Sequence, residues 1–281
     1  MVYVVPESLQ SPDYRERLSA YSMVLPGIYR LNARGDFAVS PPYSPATIRL
    51  FAMDRSVHPL ISLTGARDGA VLLSSKENRQ RAVQSIAREW ERQGFAGVHI
   101  DFEFLSGKYA SDFRLFLSEL RQDQRLARKA LSVAAFPPLW GSADEAAFFE
   151  PKTLYPLVDF IVFMMYDYHL HKPGPVTDLA WVKENLHLIL KDVPPAKVVL
   201  GIPAYGYRWD RGKRRQTLTE QQGKRLCARF SCARDPSGML KVERSQSVAY
   251  FTDARLRNDL TYEAQAAGLA GTALWRLGFE D

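Results

Sequence analysis

Short apolar, β-branched runs alternate with longer amphipathic ones along this chain, and that alternation constrains the fold more than any other feature. Eight runs read as strands: 2–5, 22–30, 57–63, 96–103, 130–136, 159–166, 197–202 and 270–275. Between two of them, 75–93 sets Ala82, Ile86 and Trp90 at i, i+4 and i+8 behind Ser74 and Ser75 as caps. The segment 109–128 carries Phe113, Phe116, Leu117 and Leu120 on one helical face. Further helices are expected at 45–54, 145–156, 178–190 and 253–267. Strands separated by helices pair in parallel, since a parallel connection needs a crossover long enough to hold a helix. Eight such units predict an α/β fold, a closed (β/α)8 TIM barrel, and 281 residues suit one barrel of roughly 200–250 residues or more. One stretch breaks the rhythm. Residues 206–250 fall between the seventh and eighth strands, are rich in Arg, Gln and aromatics, and include a strand-like 246–251. They are expected to form a small α+β insertion subdomain on the rim of a single domain, 1–281.

Composition excludes several classes. Hydrophobic residues make up 46% and charged residues 24%, ordinary values for a folded chain. No apolar run approaches the ~20 residues of a membrane span. The net charge of +6 favours polyanionic partners only weakly. Its densest cluster, Lys213-Arg214-Arg215, is short, and no basic stripe interleaved with aromatics argues for nucleic acid. Cys227 and Cys232, the two cysteines, either pair or stay free. They lack the neighbouring histidines of a zinc site, and no metal or organic cofactor is expected. No signal peptide is visible at the start, Met1-Val-Tyr-Val-Val-Pro.

The most informative segment is Gly94-Phe-Ala-Gly-Val-His-Ile-Asp-Phe-Glu103. With the strand period of two, His99, Asp101 and Glu103 share one face while Val98, Ile100 and Phe102 share the other. The apolar set packs under helices, so the polar set points into the barrel, where an unpaired carboxylate costs several kcal/mol. Two acids and an imidazole stacked inward at a strand's C-terminal end suit general acid catalysis, because burial and a second carboxylate raise a carboxyl pKa. The alternative is a structural ion-pair network.

This segment resembles the signature of glycoside hydrolase family 18, the chitinase-like barrels, Asp-Gly-x-Asp-x-Asp-x-Glu. Here Asp101 and Glu103 match, whereas Ala96 and His99 stand at the first two Asp positions. Met164-Met-Tyr-Asp167 is similar to the family's Met-x-Tyr-Asp strand, Leu200-Gly-Ile-Pro-Ala-Tyr-Gly206 to its Gly-x-Pro-x-Tyr-Gly strand, and Gly271-Thr-Ala-Leu-Trp275 to its last strand. The order is the family's, and the insertion after Gly206 also sits where the family carries one. The wording around 97–103, 201–209 and Phe251-x-Asp-Ala-Arg255 is similar to the branch of spore-cortex and peptidoglycan N-acetylglucosaminidases and of barrels fused to polysaccharide deacetylases. Those relatives also lack an Asp at the position of His99. No LysM-like repeat or deacetylase segment is visible, which leaves open a place in a larger multidomain protein.

The resemblance implies a retaining, substrate-assisted hydrolysis of β-linked N-acetylglucosamine (GlcNAc) bonds. It assigns Glu103 as general acid/base, Asp101 as the partner of the acetamido N–H, and Tyr166 as a donor to the acetamido oxygen. Trp275 becomes the floor under the sugar, with Asp167, Tyr205 and Met164 around it. Tyr166, Tyr205 and Trp275 could instead be core packing, and Asp167 a turn cap. Arg208 and Trp209 are expected at the mouth, either binding more distant sugars or solvated. His99 either hydrogen-bonds Asp101 as a neutral imidazole or pairs with it when protonated. The partner implied is a GlcNAc-containing polysaccharide, peptidoglycan or chitin-like, and such a substrate implies an extracytoplasmic or wall-associated setting. The alternative is a catalytically weak or inactive chitinase-like lectin. Such lectins typically lose the acid, and Glu103 is present.

Overall fold

A computed structural model describes residues 1–10, 13–41, 43–54, 56–63 and 65–280. Its first strands are β1 (Val2–Val4), β2 (Val24–Pro26), β3 (Tyr29–Leu31), β4 (Phe37–Val39) and β5 (Leu60–Leu63). They are followed by β6 (Gly97–Asp101), β7 (Ala130–Ala135), β8 (Phe160–Met164) and β9 (Val198–Pro203). An antiparallel group then comes, β10 (Tyr205–Asp210), β11 (Gln216–Thr219), β12 (Ala233–Arg234), β13 (Leu240–Arg244) and β14 (Ser247–Phe251), before the last strand, β15 (Gly271–Trp275). The main sheet runs β2-β1-β15-β9-β8-β7-β6-β5-β3-β4, parallel except for the β3–β4 hairpin, and β10 to β14 form a separate five-stranded sheet. The parallel sheet curls: Tyr3, Leu25, Leu60, Phe160, Val162, Val199 and Ala273, from six different strands, pack together on its inner face.

Local chemistry explains most element ends. The helix Lys76–Gln93 starts where the Ser75 hydroxyl accepts from the Asn78 N–H, and stops at Gly94, whose φ of 82° a side chain would resist. Its buried face, with Ala82, Ile86 and Trp90, lies against the sheet as the spacing predicts. Helices Leu179–Ile189 and Ala254–Ala266 are capped by Asp178 and Asp253.

Three expectations are corrected. The run 22–30 is two strands, because Pro26 lacks an N–H and the next donor, Gly27, turns to Val4 O, 2.8 Å away. The helix expected over 109–128 ends at Gln122, where Asp123 goes extended and its carboxylate takes the backbone and guanidinium of Arg125. The helix expected over 145–156 breaks before Pro151 into Ala143–Phe148 and Pro151–Leu154. A further helix, Ala66–Ser74, and the short strand β4 were not anticipated. The strand expected at 246–251 is β14.

Candidate active site

On β6 the alternation holds. Val98, Ile100 and Phe102 are buried in the main core, Phe102 stacking on Phe116 at 5.5 Å. His99 turns the other way and reaches across the curl: its Nε2 lies 3.0 Å from the Tyr3 hydroxyl and its Nδ1 2.8 Å from Ser132 Oγ. Ser132 Oγ donates to Val98 O, so it accepts from Nδ1–H, and the Tyr3 hydroxyl donates to Nε2. His99 is 0% exposed, and burial depresses its pKa to about 3. It is therefore a neutral member of a buried polar chain. Its ring nitrogens bond Tyr3 and Ser132 rather than Asp101, and its full burial separates it from the substrate-facing surface expected for it.

Asp101 and Glu103 stand at the strand's end, partly exposed, with Asp101 Oδ1 buried and unpartnered. Burial lifts Glu103 well above the carboxylate range, and the charges of Asp101 and Asp167 push it further. Asp101 is raised to about 7, also by burial. Two carboxyls that interact this strongly titrate as a pair and keep a proton at neutral pH.

The end of β8 supplies the facing groups. Tyr166 is buried with an unpartnered hydroxyl, and its ring stacks on Trp275 at 6.2 Å. Burial raises its pKa well above the usual phenol value, with Tyr3, Glu103, Asp101 and Asp167 adding to the effect. Gly201 on the neighbouring β9 makes room: a Cβ there would stand 2.7 Å from Phe163 O and 3.2 Å from Tyr166 Cε1. Asp167 adopts a φ of 57°, a conformation that Asp tolerates better than most residues. Its Oδ1 accepts from the hydroxyls of Tyr205, 2.5 Å, and Tyr207, 2.6 Å, while its carbonyl accepts from Trp140 Nε1 at 3.2 Å. Met164 is buried in β8 one turn of the pleat below.

Trp275 ends β15, partly exposed, edge-on to Tyr3 at 5.1 Å. Tyr3, Tyr207 and Trp140 belong to this constellation but were not singled out from the sequence. For Tyr207 a signal existed: it lies two residues beyond Tyr205 and so shares its face. Tyr3 and Trp140 carried none, because their roles depend on strands far away in sequence.

The antiparallel sheet separates the residues expected at the mouth. Tyr205, Tyr207 and Trp209 alternate onto one face, and the first two reach Asp167; Trp209 packs edge-on to Tyr207 at 6.1 Å, its Nε1 buried and unpartnered. Arg208 points to the opposite face, level with Ala249 and Val242, and pairs with Asp210 at 2.9 Å. The structure thus turns Arg208 away from the carboxylates. Among the described residues no three His, Cys, Asp or Glu side chains are placed to hold a metal, and no helix is long and apolar enough to cross a membrane.

A curled parallel sheet with coupled acids at a strand's C-terminal end, rimmed by aromatics, defines a glycosidase-type site. The model of the glycosyl hydrolases family 18 matches residues 44–280, and the chain belongs to that family. It is 28% identical over 147 residues to the cortical fragment-lytic enzyme of Bacillus subtilis, covering 50% of this chain and 34% of that protein. A crystal structure of a chitinase from Chromobacterium violaceum superposes with a TM-score of 0.86 at 21% identity, covering 100% of this chain and 95% of that one. The spore cortex-lytic enzyme SleL of Bacillus megaterium gives 0.80 at 21% identity, covering 99% of this chain and 70% of that one. The chain spans 51%, 65% and 34% of the length of three of the curated relatives it matches.

Proposed function

We propose that this chain hydrolyses β-linked GlcNAc bonds in peptidoglycan, a chitin-like polymer or a related polysaccharide, with retention and with the substrate's 2-acetamido group as nucleophile. In this reading β2 and β3 are halves of one interrupted strand, so the parallel sheet closes as an eight-stranded barrel. Residues 206–250 are its insertion, and 1–281 is one domain.

One observation carries the proposal. Asp101 Oδ1 and the Tyr166 hydroxyl are both buried beside Glu103 and both lack a partner. Unsatisfied buried polar atoms are rare and call for a ligand or another explanation. An acetamide complements the two atoms, since its N–H donates to the carboxylate and its carbonyl accepts from the phenol. Glu103, holding its proton, gives it to the leaving glycosidic oxygen as the acetamido oxygen bonds to C1. The resulting oxazolinium ion carries positive charge that ionised Asp101 offsets. Water then attacks C1 while Glu103 takes back a proton. Trp275, flat and partly exposed, stacks under the sugar ring. Asp167 and Tyr205 hold Tyr166 from the side, with Met164 as apolar support, and Trp209 faces the outer cleft.

The test compares the protein with its Glu103→Gln variant on purified peptidoglycan and on chitooligosaccharides, with products identified by mass spectrometry. Cleavage by the wild type, reduced by about 10²–10⁴-fold in the variant, is expected of a lost general acid. If neither protein cuts while both bind the sugars, the chain is a carbohydrate-binding protein instead.

A further inference from the structure

On the face of the antiparallel sheet turned away from the carboxylates lies a cavity of about 450 Å³, between the sheet and the end of the helix Glu220–Arg229. Arg208, Arg211, Lys213, Arg229 and Arg244 surround it. Its one carboxylate, Asp210, is already paired with Arg208. Among the described residues, Arg211, Lys213, Arg229 and Arg244 have no carboxylate partner. Like charges gathered without counter-ions repel one another, so the arrangement is unfavourable unless an anion joins it.

Ring contacts and a disulfide tie the wall of this cavity together. Phe230 carries the guanidinium of Arg244 at 3.8 Å from its ring centre and that of Arg229 at 5.3 Å. The Cys227–Cys232 disulfide closes the short loop that bears Arg229 and Phe230. Underneath, Leu226, Val242 and Ala249 form an apolar floor continuous with the small core of this sheet.

We propose that this reverse-face cavity is a second binding site, separate from the cleft, that takes carboxylates displayed on an anionic glycan such as the peptide-bearing strands of a cell wall. Guanidinium groups match carboxylates in planar, two-pronged hydrogen bonds, which favours them as ligands here. The cations ring one pocket of ligand size, ~300–1,000 Å³, instead of lining a long stripe, which disfavours a nucleic-acid backbone. The choice of a glycan as carrier rests on the proposed activity; the anion site itself does not.

The test uses the full chain carrying Glu103→Gln, titrated calorimetrically with soluble peptidoglycan fragments bearing free peptide carboxylates. The same fragments with those carboxylates amidated, neutral chitooligosaccharides and a single-stranded oligonucleotide serve as comparisons. Amidation, or the double change Arg211→Gln and Arg229→Gln, is expected to weaken fragment binding at least about tenfold. Chitooligosaccharide binding should not move, and Arg211→Lys with Arg229→Lys, which keeps the charge but loses the two-pronged geometry, should recover only part of the affinity lost in the Gln pair. Equal affinity for free and amidated fragments overturns the proposal, as does an oligonucleotide bound more tightly through the same arginines. Failure of the wild type to hydrolyse any glycan would sink the catalytic reading while leaving these affinity ratios readable.

Discussion

Glu103 and Asp101 differ from ordinary surface carboxylates because burial and mutual repulsion hold protons on them where water would strip them away. The direction of this shift sets the pH profile. At low pH both groups are protonated, and in the proposed mechanism a neutral Asp101 cannot offset the oxazolinium charge. kcat/KM should therefore rise as pH climbs through about 7, where Asp101 ionises, and fall again when Glu103 gives up its proton at higher pH. Asp101→Asn should abolish the rising limb; a wild-type profile that already peaks near pH ~4 would contradict the assignment. His99 plays no part in this profile, since burial keeps it neutral down to about 3. The alternating pattern set its side chain on the inner side of the curled sheet, where it meets Tyr3 and Ser132. Its partners came from β1 and β7, 96 and 33 residues away.

At the scale of elements, the boundaries at Ser75 and Gly94 were legible in side-chain chemistry, whereas the equally local ones at Asp123 and Pro151 were not read. Those set by neighbouring strands left no local sign. Ser75 and Gly94 bracket a helix by satisfying or releasing its terminal backbone groups locally. The break between β2 and β3 has a local mark in Pro26, but the partners of its halves, β1 for one and β5 for the other, are set by distant strands. The contact between β8 and β9 gives a direct prediction. Gly201→Ala would drive a methyl group against Phe163 O and toward the Tyr166 ring. It should destabilise the protein by about 1–3 kcal/mol in urea denaturation and lower kcat by displacing the Tyr166 hydroxyl. Unchanged stability and kcat would show that these strands can part without cost.

Across the whole molecule, two sheets divide the work: the parallel one carries the acids, and the antiparallel one contributes Tyr205 and Tyr207 to Asp167 on one face and the cationic cavity on the other. The Cys227–Cys232 bridge spans five positions, from the helix Glu220–Arg229 to the residue before β12 at the edge of the second sheet. Because it closes so short a loop, it constrains little of the unfolded chain. Reduction should raise hydrogen exchange around 220–234 and leave cleavage of neutral chitooligosaccharides almost unchanged. A large loss of that activity would mean the two faces of the sheet are mechanically coupled. The sequence by itself determined most of the succession of strands and helices, though not Ala66–Ser74 or β4. It also determined the inward parity of His99, Asp101 and Glu103 and the family motifs, because periodicity and short-range spacing are local properties of the chain. Only the tertiary structure decided that His99 bonds Tyr3 and Ser132, that Arg208 turns from the cleft, and that Tyr3, Trp140 and Tyr207 join the site. Strand parity says that two residues share a face, but which face meets the cleft follows from the long-range pairing of the strands.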